Sequence, residues 1–87
     1  MEEEIKEPPQ NWDDQKKHLF RKYAKASATD WVIQIYRYQN AKNDPSLSKF
    51  PPEMIEKTIE VLKYFIEEDL GIEVDVAIDN LKYFKVI

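Results

Sequence analysis

The sequence predicts a mostly α protein: a small four-helix single domain over residues 11–87, preceded by an acidic arm at residues 1–10. Three observations predict it. Gly71 is the only glycine in 87 residues, where ordinary usage of roughly 7% would give about six. Tight hairpins lean on glycine for positive φ, so its scarcity tilts the chain away from β-hairpins. Apolar residues recur at three- and four-residue spacing along several stretches, and those stretches carry helix start and stop signals.

Each element follows from its own residues. MEEEIKEPPQ (1–10) is acidic, contains Pro8-Pro9 and has no periodic apolar face, which predicts a mobile arm. It also lacks the apolar core of a signal peptide. In NWDDQKKHLFRKYAKA, Asn11 is placed to cap a helix, Asp13 and Asp14 fall in its first turn, and lysines gather toward its end. Trp12, Leu19, Phe20, Tyr23 and Ala24 form its apolar set. SATD opens the next element, with Ser27 or Thr29 as the cap. WVIQIYRYQN is rich in β-branched and aromatic residues that suit a strand. The cap before it and QNAK after it favour a helix, with Trp31, Ile35 and Tyr38 on one stripe and Val32 and Tyr36 on the next.

NDPSLSKFPP (43–52) reads as a loop in which Asp44-Pro45 starts a turn. Pro52 and Glu53 then open the clearest helix, PEMIEKTIEVLKYFIEEDL. Ile55, Ile59, Leu62 and Ile66 line one stripe, joined by Met54, Thr58, Val61 and Phe65. Its wet face offers Glu53–Lys57, Glu60–Lys63 and Lys63–Glu67 pairs, each contributing about 0.2–0.5 kcal/mol. Gly71 ends it as a C′ glycine. A fourth helix is expected over residues 75–85, capped by Asp75. The alternative is a hairpin over residues 72–87, since IEVDVAI alternates and Asp79-Asn80 can turn; that would make the fold α+β.

One phrase occurs twice. IEVLKYF (59–65) and IDNLKYF (78–84) share Ile-acid-x-Leu-Lys-Tyr-Phe, but their flanks do not align and two copies make no solenoid. The expectation is two helices meeting the same burial demand with the same residues. The tail DVAIDNLKYFKVI resembles the closing helix of many winged-helix domains, which runs into a short aliphatic strand. That resemblance covers thirteen residues and implies a winged-helix-like C-terminal end. The wing strands that would follow are not in the sequence, which stops at Ile87.

Composition narrows the function. There is no cysteine, so no disulfide framework or zinc–thiolate site is expected. One glycine excludes phosphate-cradling and dinucleotide-binding loops. No apolar run approaches the roughly 20 residues needed to span a bilayer; no membrane partner is expected, and the cytoplasm is the default location. His18 is the only histidine. It lies one turn after Asp14, and the surrounding lysines suit a surface position. With no nucleophile–base set, no metal-ligand spacing and no cofactor motif, the chain is expected not to be an enzyme and to need no cofactor.

Charge is segregated. Residues 1–14 hold six acids against Lys6; residues 15–50 hold eight bases against Asp30 and Asp44; residues 51–87 hold nine acids against four lysines. Within the basic segment (16–42), Lys17, Arg21 and Lys25 recur at i, i+4 and i+8, with Lys22 beside them and Arg37 and Lys42 on the next helix. Such a stripe can neutralise phosphates, with Trp12 and Tyr23 near enough to stack on bases. It equally suits the solvated face of an amphipathic helix, and a pI near 5.0 opposes a dedicated nucleic-acid binder. Within residues 67–75, Glu67, Glu68, Asp69, Glu73 and Asp75 gather. The first three sit where the helix dipole disfavours negative charge, a local rule broken without visible compensation. The expected function is therefore a small acidic interaction or regulatory module whose two patches meet another protein. The alternative is nucleic-acid binding by the Lys17/Arg21/Lys25 face, and self-association fits either.

Overall fold

The computed structural model describes residues 7–44 and 50–85. Most of the expected acidic arm, the turn at Asp44-Pro45 and the final two residues lie wholly or partly outside that range. Four α-helices run in order: α1 (Asp14–Ala24), α2 (Ala28–Asn43), α3 (Pro52–Tyr64) and α4 (Val74–Tyr83), with a π-helical turn, Phe65–Asp69, continuing α3. No strand occurs among the described residues, so the hairpin alternative does not form. The aliphatic strand implied by the winged-helix resemblance falls on residues 85–87, of which 86 and 87 are outside the described range.

The starts of the helices show local chemistry at work. Asp13, not Asn11, caps α1, its carboxylate accepting the Lys16 backbone N–H at 2.8 Å. The cap moves because the Trp12 N–H donates to the Pro9 carbonyl at 3.2 Å, closing a turn that leaves Asp13 as the first extended residue. Ser27 caps α2 in a full capping box: its hydroxyl accepts from Asp30 N–H at 3.2 Å, and the Asp30 carboxylate accepts from Ser27 N–H at 3.4 Å. This reciprocal cap, with burial of Trp31, Val32 and Ile35 on one side, settles the β-branched stretch as helix. Pro52 stands at the first position of α3, where its missing N–H costs nothing.

Gly71 takes φ +68° after the π turn, as a C′ glycine does. The next start differs from expectation. Glu73 holds the cap position of α4 without a side-chain bond, and Asp75 lies in the first turn instead. There its charge still faces the positive end of the helix dipole.

α3 is central. It packs on α1 and α2, while α4 lies against α2 and the π turn. Val61, Leu62, Phe65 and Ile66 are all buried, so this helix is apolar over a wide arc. Three rings stack through the core: Phe20 on Phe65, and Phe65 on Trp31, each pair with centroids 4.7 Å apart. Trp12 closes one end edge-on to Phe20 and Tyr64. The Trp31 indole N–H, buried here, donates to the Tyr23 carbonyl at 2.7 Å and fixes the corner between α1 and α2.

Charges on α3 reach across helices instead of along it. Lys57 pairs with Asp13 at 3.0 Å and donates to Gln15; Lys16 pairs with Glu60, and Lys42 with Glu56 at 3.5 Å. In place of the expected Glu53–Lys57 and Glu60–Lys63 pairs, Lys57 and Glu60 bridge to α1 and its cap, because this side of α3 packs beside α1 with its charged tips still reaching solvent.

Candidate functional site

The structure divides charges that look alike in sequence. Lys16 and Lys42, counted within the basic segment, are engaged with Glu60 and Glu56. Lys17, Arg21 and Lys25 remain on one side of α1, Arg21 and Lys25 exposed and Lys17 half-buried. Among the described residues no ion pair engages these three. Lys22 sits over the Tyr23 ring at 5.5 Å, and Arg37 is exposed on α2. The aromatics expected to serve them are not available. Trp12 is held edge-on between Phe20 and Tyr64, and Tyr23 is buried. Burial, reinforced by the Tyr38 hydroxyl in hydrogen-bond contact, pushes the Tyr23 phenol up to about 12. Tyr23 is buried and Trp12 is half-buried with its ring packed on Phe20 and Tyr64, so neither stands free beside the basic stripe. His18 and Asp14 are both exposed, and no bond joins them among the described residues.

The acidic cluster gathers where the π turn after α3 leads into α4. Glu67, Glu68 and Asp69 are exposed on the π turn, and Glu73 and Asp75 are exposed at the start of α4. Glu67, Glu73 and Asp75 line an open groove of about 310 Å³ together with Ile35, Gln39, Ile59, Lys63 and Val74. Among the described residues no ion pair engages Glu67, Glu68, Glu73 or Asp75, not even the expected Lys63–Glu67 pair. Three carboxylates lining one mostly polar groove suit the charged head of a lysine or arginine side chain. No group of three acidic or histidine side chains converges as a metal site among the described residues. No described helix is long and apolar enough to cross a membrane.

The outer face of α4 was, like the groove, not legible in the sequence. Val76 is 46% exposed, Tyr83 80% and Phe84 71%, although Phe84 was expected on the buried stripe with Ile78 and Leu81. Ile78 is buried and Leu81 half-buried, but Phe84 falls beyond the last α-helical residue and the chain turns away at Lys85, φ +60°. Asn80, where the first copy of the phrase has Val61, was the available sign that this helix is covered on one side only.

No family model matches the chain, and no curated protein or solved structure matches it either.

Proposed function

We propose that the protein is a small non-catalytic interaction or regulatory module whose acidic end, Glu67, Glu68, Asp69, Glu73 and Asp75, receives a basic protein partner, with the cytoplasm as its proposed location. One observation carries this reading. Lys16–Glu60, Lys57–Asp13 and Lys42–Glu56 bridge helices, whereas Glu67, Glu73 and Asp75 line one open groove and no ion pair among the described residues engages them. Charge of this kind sets encounter rate and partner choice more than raw affinity. The test is anisotropy of a labelled lysine-rich peptide at low and physiological salt. The Glu67→Lys/Glu68→Lys/Asp69→Lys variant should lose binding; unchanged binding removes the patch from the proposal.

A second reading, nucleic-acid binding, is favoured by Lys17, Arg21 and Lys25 sharing one face without internal partners. It expects labelled mixed-sequence DNA or RNA to bind with steep salt dependence and to be lost on Ala substitution of all three. With Tyr23 buried and Trp12 packed against Phe20 and Tyr64, it is the weaker of the two. Self-association between basic and acidic segments would show as a mass that rises with concentration in sedimentation.

A further inference from the structure

We infer that the row Lys17, Arg21 and Lys25 on α1 is the docking surface for this chain's own acidic N-terminal segment, Glu2, Glu3 and Glu4, which lies outside the described residues. The inference is independent of the acidic-end reading above and names what occupies the basic stripe in the free protein.

α1 and its C-cap carry Lys16, Lys17, Arg21, Lys22 and Lys25 against one acid, Asp14. The core takes Leu19, Phe20 and Tyr23 from the other side of the helix. Lys16 is engaged by Glu60 on α3. The remaining four bases have no ion pair among the described residues, and Asp14 alone offsets them on their own helix. Lys17, Arg21 and Lys25 recur at i, i+4 and i+8. At 1.5 Å rise per residue they form a row about 12 Å long, with Lys22 beside it.

Length, charge and attachment select the occupant. Pro8 is buried and Pro9 half-buried, so the segment leaves from a point held on the fold. That point adjoins the start of α1: the Trp12 N–H donates to the Pro9 carbonyl at 3.2 Å, and Asp13 caps the helix. The six residues before Glu7 span at most about 20 Å when extended, longer than the row they face. Residues 1–7 bring Glu2, Glu3, Glu4 and Glu7 against Lys6, a surplus of negative charge opposite a surplus of positive. Exposed ion pairs are individually weak, and attachment is what lets several act together. A segment linked to its site meets it at an effective concentration on the order of millimolar, whereas the acids of a second copy arrive only at the concentration of the protein itself. The docked segment uses the same bases that a nucleic acid would need, so the two exclude each other.

The experiment places a nitroxide on the full, ¹⁵N-labelled chain through Ile5→Cys, which keeps every charge of the segment; the sequence has no cysteine of its own to compete. At low salt the Arg21 and Lys25 amide signals should be attenuated at least about twofold more than in the same protein carrying Glu2→Gln/Glu3→Gln/Glu4→Gln. The neutral segment supplies the attenuation that attachment alone produces. The margin should vanish in 1 M salt, where charges are screened beyond about 3 Å, and in the Lys17→Ala/Arg21→Ala/Lys25→Ala variant. Equal attenuation with the charged and the neutral segment overturns the inference, and so does a margin that survives the loss of all three bases. A mixture of unsubstituted ¹⁵N-labelled protein with unlabelled nitroxide-bearing protein identifies the source. Attenuation there as strong as within one chain overturns the chosen occupant in favour of a second copy.

Discussion

Residues 59–65 and 78–84 have nearly the same text and opposite fates. In the first copy Leu62 and Phe65 are sealed in the core, Phe65 at 1% exposure, with Tyr64 packed edge-on to Trp12. In the second, Ile78 is buried, Leu81 only partly, and Tyr83 and Phe84 stand in solvent. The two acids diverge as well: Glu60 bridges to Lys16 on α1, whereas no ion pair engages Asp79 among the described residues. The difference lies in what surrounds each helix. α3 has α1 on one side and α2 on the other, and helical structure continues past Phe65 through the π turn. α4 has neighbours on one side only, and the chain leaves the helix at Phe84. Identical side chains on identical spacing therefore build a core in one place and a surface in the other.

The largest test of this contrast compares the two phenylalanines. Phe65→Ala should cost about 3–5 kcal/mol in urea unfolding, because it removes the middle ring of the Phe20–Phe65–Trp31 stack. Phe84→Ala should stay within about 0.5 kcal/mol. Equal costs would break the comparison. The leucines sharpen it: Leu62→Ala should cost about 2–5 kcal/mol, and Leu81→Ala about half as much, since Leu81 already touches water.

Gly71 separates the copies and holds φ +68°, with nothing within 4 Å of an added Cβ. Gly71→Ala should therefore cost only the backbone strain of the left-handed region, about 1–2 kcal/mol by thermal melting. A larger loss would mean that the link between π turn and α4 is packed more tightly than this geometry allows.

Charge around the first copy predicts the acid limb of stability. The Lys16 backbone N–H, then the Lys57 side chain, hold the Asp13 carboxyl below its ordinary 3.8. A depressed folded value means that the stabilisation is complete above the unfolded pKa and is lost as pH falls through the folded one. The melting temperature should thus fall as pH drops below 3.8, and Asp13→Asn should flatten that fall. At the alkaline end the sign reverses. Tyr23 keeps its proton up to about 12 where an unfolded phenol titrates at 10.0, so stability should decline as pH rises from 10 toward 12, and less so in Tyr23→Phe. The smallest contrast is between acids: Glu60→Gln should cost less than about 1 kcal/mol as an exposed bridge, and Asp79→Asn should cost nothing measurable by the same melt.

Much of the fold was legible because it is written locally. Ser27 and Asp30 form the capping box that SATD suggests, Pro52 opens α3, Gly71 follows its end, and the apolar stripes of α2 and α3 fall on the buried side. Errors came at starts and partners. Asn11 lost the cap to Asp13 through a turn made by Pro9, and Lys57 and Glu60 found α1 instead of their helical neighbours. Of the candidate site, the exposure of Glu67, Glu68, Asp69, Glu73, Arg21 and Lys25 was legible from charge alone. The groove the acids line and the exposed pair on α4 were not.

The sequence by itself determined where the expected helices begin and end to within two residues and which of their faces are apolar, while it left a hairpin over residues 72–87 open. These depend on propensity, caps and spacing, which act over a few residues. Only the tertiary structure decided which apolar face is covered from both sides, which lysines and acids are used up between helices, and which stay outside any ion pair among the described residues. Burial and ion pairing depend on groups far apart in sequence, and a phrase such as Ile-acid-x-Leu-Lys-Tyr-Phe carries no record of its neighbours.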